Sequence, residues 1–176
     1  MHTLSRHPIL KRQRGAAIVE FALICAIFIS LLIATIEFGR MMFVYNSMQE
    51  ISRRGAREAT VRWISDTAAI KSAALFGAST LPGAPEVTSS NIFIRYLRAN
   101  GVDEVTTPPI DAGDNIAACN DVTRTSECIA FVEVSVRNVT YKPLIFNPDS
   151  VTTSRPSVSL PQATTVVYAE SLGFTN

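Results

Sequence analysis

The hydrophobic pattern changes its period along the chain, and each change marks an element. From Ala16 to Ile36 the run is apolar with Glu20 as its only formal charge. At about 1.5 Å per residue it predicts a helix of roughly 30 Å, the hydrocarbon thickness of a bilayer. From Arg40 to Arg62 apolar residues recur at Met41, Val44, Tyr45, Met48, Ile51, Ala56 and Ala59, the i, i+3, i+4 spacing of an amphipathic helix. The span is therefore expected to continue as a helix beyond the membrane. Its other face carries Glu50, Arg54, Glu58 and Arg62 at four-residue intervals and reads as a solvated face. A shorter helix through Ala69, Ile70, Ala73, Ala74 and Phe76 is expected, with Asp66 as its N-terminal cap and Gly77 as its stop.

Pro82, Gly83 and Pro85 make residues 78–90 an expected linker. Beyond it the period becomes two. Ile92, Ile94 and Tyr96 form one strand run, Val132, Val134 and Val136 alternate with Glu133, Ser135 and Arg137 in a second, and Thr164 to Ala169 is a third. Pro108 to Cys128 is rich in Asp, Asn, Thr and Ala without periodicity and is expected to be a loop. Tyr141 to Pro161 holds Pro143, Pro148, Pro156 and Pro161 and is expected to be another. The fold class that follows is α+β: a long N-terminal helix, transmembrane then amphipathic, packed on a small antiparallel sheet, with a short second helix. The expected divisions are a leader at 1–15, the transmembrane half of the helix at 16–36, an exported helical part at 37–77, the linker, and a small β-rich domain at 91–176.

Composition adds less than the distribution of charge. With 176 residues there is room for one small core beside an extended element. Sixteen basic against fifteen acidic residues give no general attraction to nucleic acid. The first 19 residues, however, contain Arg6, Lys11, Arg12 and Arg14 and no acid, which predicts an N-terminus held in the cytoplasm and export of the rest. In an oxidising compartment Cys119 and Cys128 are expected to pair, while Cys25, inside the span, is expected to stay a thiol used in packing. Both histidines, His2 and His7, lie in the leader, so no catalytic set, no metal centre and no cofactor is expected in the chain that remains after its removal. Asp111, Asp114, Asn115, Asn120 and Asp121 crowd one segment but lack the spacing of an EF-hand loop, and read as an ordinary solvated loop. Trp63 with Met41, Met42 and Met48 is expected to pack against the sheet.

One arrangement separates this chain from a secreted one. A secretory signal places its small residues after the apolar core, whereas here Gly15 stands before it, in Arg14-Gly15-Ala16-Ala17-Ile18-Val19-Glu20-Phe21. This resembles the type IV prepilin signal. The resemblance implies a cut between Gly15 and Ala16 by prepilin peptidase on the cytoplasmic side. It also implies an assembly role for Glu20 facing the new amine of Ala16 on a neighbouring subunit, so that two buried charges compensate each other. The wider stretch, with Phe21, Gly39-Arg40 and Arg54-Gly55-Ala56-Arg57, resembles the TadE family of minor pilins (pseudopilins) of the tight-adherence (Tad/Flp) pilus. That implies, as partners, the prepilin peptidase, a major Flp pilin, a TadF-like minor pilin, the inner-membrane assembly platform and the lipid bilayer. It implies a location in the bacterial inner membrane with a periplasmic C-terminal domain, or in the extracellular pilus, and a role in adhesion and surface colonisation. An uncleaved single-pass protein presenting a binding module and a type II secretion pseudopilin stay open as alternatives.

Overall fold

The computed structural model describes residues 14–144, 157–170 and 172–173. The leader positions 1–13, Pro148 and Pro156 of the expected second loop, and residues 174–176 lie outside them. The chain divides into two units, Met1–Phe38 and Gly39–Asn176. Helix α1, Arg14–Val61, supplies all that is described of the first unit.

In the first unit the helix has apolar side chains on every side, and they are exposed: Ile18, Phe21, Ile24, Ile27, Phe28, Leu31 and Phe38 among them. A helix with no polar face belongs in an apolar medium, and this one is long and apolar enough to cross a membrane. Its two hydroxyls are satisfied within the helix, Ser30 Oγ donating to the Ala26 carbonyl at 2.7 Å and Thr35 Oγ1 to that of Leu31 at 2.8 Å. That removes the cost of carrying them into hydrocarbon.

The second unit is built around the remainder of α1. Val44, Met48, Ile51, Ala56 and Ala59 are fully buried, which is the face the periodicity predicts. Glu50 and Arg54 are exposed, and Glu58 pairs with Arg62 one turn later. A single turn of 3-10 helix, Ile64–Asp66, leads into α2, Thr67–Ala74. Asp66 makes no side-chain cap there, contrary to expectation; it is spent as the last residue of the 3-10 turn, and Thr67 Oγ1 donates to the Ile64 carbonyl instead. The helix does end beside Gly77, but Phe76 shares the left-handed backbone, with φ 59° against 78° at the glycine. Gly77 N–H bonds the Ser72 carbonyl and Phe76 N–H that of Ala73, the paired bonds of a Schellman stop.

The expected linker at 78–90 is instead a hairpin of β1, Thr80–Leu81, and β2, Ala84–Thr88. Pro82 and Gly83, read as linker signals, are its two-residue turn, and Gly83 has the positive φ, 80°, that a type II turn needs at that place. Leu81, Ala84 and Val87 are buried in the same core as α1. The main sheet consists of β3, Ile92–Leu97, β4, Phe131–Val136, and β7, Ala163–Tyr168, antiparallel in the order β3-β4-β7. Ile94 pairs with Val134 and Val134 with Thr165; Tyr96 pairs with Val132 and Val132 with Val167. These are the three expected strands. A further pair, β5, Thr140–Tyr141, and β6, Val158–Ser159, falls at the start of and inside the expected loop 141–161.

Between β3 and β4 the expected loop 108–128 contains a third helix, α3, Ala112–Asn120. It lacks hydrophobic periodicity because polar bonds hold it. Asp111 Oδ1 caps it by accepting from Asp114 N–H at 2.8 Å, and buried Asn115 accepts from Ile129 N–H at 2.9 Å while donating to the Ile129 carbonyl at 3.2 Å. Trp63 does not join the main core; it packs beside Val105, Ile129 and Leu172 in a smaller cluster.

Helix α1 is closely packed against the sheet at Gly55. A Cβ there would lie 3.1 Å from Val134 Cγ1 and 3.3 Å from the Ala74 Cβ, so α1, β4 and α2 meet at one hydrogen-sized position. Gly55→Leu is expected to lower stability by about 3 kcal/mol through overpacking, read as a drop in denaturant midpoint with the m-value unchanged; a stability equal to wild type would show that α1 does not approach the sheet this closely.

Candidate assembly surfaces

Gly15, Ala16, Glu20 and Phe21, the residues singled out from the sequence, all lie at the start of α1 and are exposed. Ala16 and Glu20 are four residues apart, hence one turn apart on one side of the helix. Glu20 has no hydrogen bond or ion pair among the described residues, and its neighbours Val19, Phe21, Leu23 and Ile24 are exposed apolar side chains. A carboxylate in that setting costs a few kcal/mol if it enters a membrane alone. A cation brought against it from outside the described chain would offset that cost.

A second charged position was singled out in the sequence only as part of the Gly39-Arg40 motif, without its partners. Arg40, just inside the second unit, sends Nη2 to both Glu86 carboxylate oxygens at 2.9 and 3.2 Å and Nη1 to the Lys142 carbonyl at 2.9 Å. Its guanidinium carbon stands 4.8 Å from the centre of the Tyr141 ring. The side chains of Arg40 and Glu86 keep only 16 % and 9 % of their surface, so the pair is largely desolvated and its hydrogen bonds are strong ones. One residue of α1 thus ties down β2 and the end of β5. Its partners are 46 and 102 positions away, and no local pattern announces them.

The third region is the excursion between β3 and β4. Cys119 and Cys128 form a disulfide there, with a Cα separation of 4.7 Å, as expected. The crowded carboxylates are already engaged: Asp111 caps α3, Asp114 accepts from Arg124 at 2.9 Å and from Ile110 N–H at 3.1 Å, and Asp121 accepts from Thr123 N–H and Oγ1. The Arg124 hydrogen bond, then that of Ile110 N–H, holds the Asp114 carboxyl below its ordinary range, and the two bonds from Thr123 do the same for Asp121. Arg124 also reaches Glu127 at 2.7 Å. The segment's oxygens serve the chain's own donors. Cys25 remains a half-buried free thiol on α1. In the second unit, burial and then the charge of Asp66 push the Tyr96 phenol up to about 12.

Residues 15–57 match the family described as TadE-like protein. That stretch is TadE-like. The match opens at Gly15, takes in the apolar half of α1 with Glu20, and runs through Arg40 and Gly55 to Arg57. The TadE-like segment therefore includes the carboxylate in the apolar run, the Arg40 anchor and the tight crossing at Gly55. No curated protein and no solved structure shows a significant match to the chain. Of the motifs quoted for the resemblance, Arg54-Gly55-Ala56-Arg57 acquires a physical reason: Gly55 and Ala56 are the small residues at the crossing, and the two arginines flank it on the exposed side.

Glu86→Ala leaves Arg40 buried without its counterion and is expected to cost about 3 kcal/mol, with faster amide exchange over β1 and β2. The double change Arg40→Met with Glu86→Leu is expected to recover most of that loss; equal losses in the single and double variants would contradict a desolvated pair.

Proposed function

We propose that the chain is a non-enzymatic minor pilin (pseudopilin) of a Tad/Flp-type pilus. It is made as a precursor with a basic leader, held in the bacterial inner membrane by the apolar half of α1, cleaved between Gly15 and Ala16 by prepilin peptidase, and assembled into the pilus or used to prime it. The observation that carries this reading is the coincidence at the start of α1: the TadE-like match opens at the glycine, and the only charge of the apolar run, Glu20, sits one turn after the residue that would become the N-terminus. Cleavage there creates an ammonium group. In a bundle of such helices the amine of one copy can meet Glu20 of a neighbour, and two charges that are costly apart become a compensated pair.

The orientation follows from the cationic leader, which favours a cytoplasmic N-terminus and a periplasmic second unit. The Cys119–Cys128 disulfide supports an oxidising location for that unit. The exposed apolar surface of α1 supports exchange of lipid contacts for helix contacts during assembly, with the major Flp pilin, a TadF-like minor pilin and the inner-membrane platform as partners. Surface adhesion and colonisation would then be properties of the assembled filament.

Intact mass and N-terminal sequencing of the membrane-extracted protein, from cells with and without prepilin peptidase, test the reading. A mature chain starting at Ala16 only where the peptidase is present is expected. A leader retained in both would overturn it and leave an uncleaved single-pass anchor presenting the second unit.

A further inference from the structure

The chain is almost neutral overall, yet its second unit separates charge by element. The excursion from Arg98 to Ala130 holds six acids against two arginines, a net of −4. One of those arginines, Arg124, is already bound between Asp114 and Glu127, and Glu104 pairs with Arg95 of β3 at the edge of the excursion. On the outer side of α1, Arg53, Arg54 and Arg57 are exposed and have no acidic partner among the described residues. Glu58, the acid between them and Arg62, is taken by Arg62, which leaves Glu50 as the one opposing charge within a turn. No ion pair joins the two regions among the described residues.

Each region also carries exposed apolar side chains. In the excursion Val102, Ile110 and Val122 are 71, 87 and 88 % exposed, although a disulfide, a capped helix and the Asn115–Ile129 bonds hold the backbone around them. Beside the arginines Phe76 is exposed, with the Arg54 guanidinium carbon 4.6 Å from its ring centre. Its backbone is left-handed, a conformation unfavourable for a bulky residue. An aromatic ring presented at that cost, under an arginine, has the composition of an interface anchor.

From this complementarity we infer that the acidic, apolar excursion of one copy docks on the Arg53, Arg54, Arg57 and Phe76 face of a second copy of this chain. A partner bearing a single sign of charge would suit one region and repel the other, whereas a second copy offers the complement of both. The two surfaces are on different elements, so a contact that uses one surface of each copy leaves the other free and can repeat. The charges steer and set register; the apolar groups hold. The inference rests on the pilin reading only for bringing copies side by side, and its test does not depend on how the N-terminus is processed.

Sedimentation of the full mature chain in nonionic detergent, at about 0.05 M and about 0.5 M sodium chloride, reads the contact apart from any association through the spans, which salt does not screen. Association that weakens by roughly tenfold or more at the higher salt is expected. The triple variant R53E/R54E/R57E and the triple variant D103K/E104K/V122K should each fail to self-associate in this salt-sensitive way, and an equimolar mixture of the two should regain it. Restoration in the mixture also shows that both variants are folded. A wild type without salt-sensitive association, or variants that associate as the wild type does, would overturn the inference. So would a mixture that stays dissociated while both variants keep the wild-type unfolding transition.

Discussion

The packing of the second unit depends on how closely α1 can approach the sheet. At Gly55 a methyl group would crowd Val134 of β4 and Ala74 of α2, and the positions around it are small: Ser52, Ala56 and Ala59 are all fully buried. Small side chains let the helix lie near the strands, so that the larger Met48 and Ile51 can fill the core beside the close crossing. Ser52 would be a buried hydroxyl in that setting, but it donates to the Gln49 carbonyl and shares a hydrogen bond of 2.9 Å with Thr165 Oγ1 of β7. Helix, central strand and edge strand are thereby fixed in one register.

The same helix must satisfy two solvents. From Ala16 to Ile36 its surface is apolar apart from Glu20 and its hydroxyls turn inward to their own backbone; after Gly39 one face is buried and the other carries arginines and glutamates. Arg40 stands at the start of the second regime. Its pairing with Glu86, the Lys142 carbonyl and the Tyr141 ring anchors two non-local segments to α1 at the place where the apolar run has ended. Because a buried pair resists loss of one partner far more than it adds net stability, its effect is to specify which segments lie there.

What was legible in the sequence follows the reach of each interaction. The buried face of α1 and strands β3, β4 and β7 repeat at periods of 3.6 and 2 over enough residues to be read directly. The hairpin of β1 and β2 was not legible: two and five residues around a Pro-Gly turn give too few apolar positions, and Leu81, Ala84 and Val87 matter only because the core closes over them. Helix α3 escaped for another reason. Asp111, Asn115 and the disulfide hold it, so the residues that read as loop composition are the ones that make the helix. Gly15, Ala16, Glu20 and Phe21 were singled out through the resemblance, and their roles rest on it. The Arg40 partners could not be named from the sequence, and Gly55 was visible only as part of a resemblance until the crossing gave it a reason.

At the centre stands the claim that Glu20 is kept in an apolar helix for assembly with other subunits, not for anchoring. The direct measurement is the share of mature protein recovered in sheared surface filaments for wild type and for Glu20→Leu, each compared with its membrane pool. The account predicts that the variant is inserted and processed normally yet is largely lost from the filaments, since an anchor improves when its charge is removed while an assembly pair disappears. Glu20→Leu found in filaments at the wild-type share would contradict it.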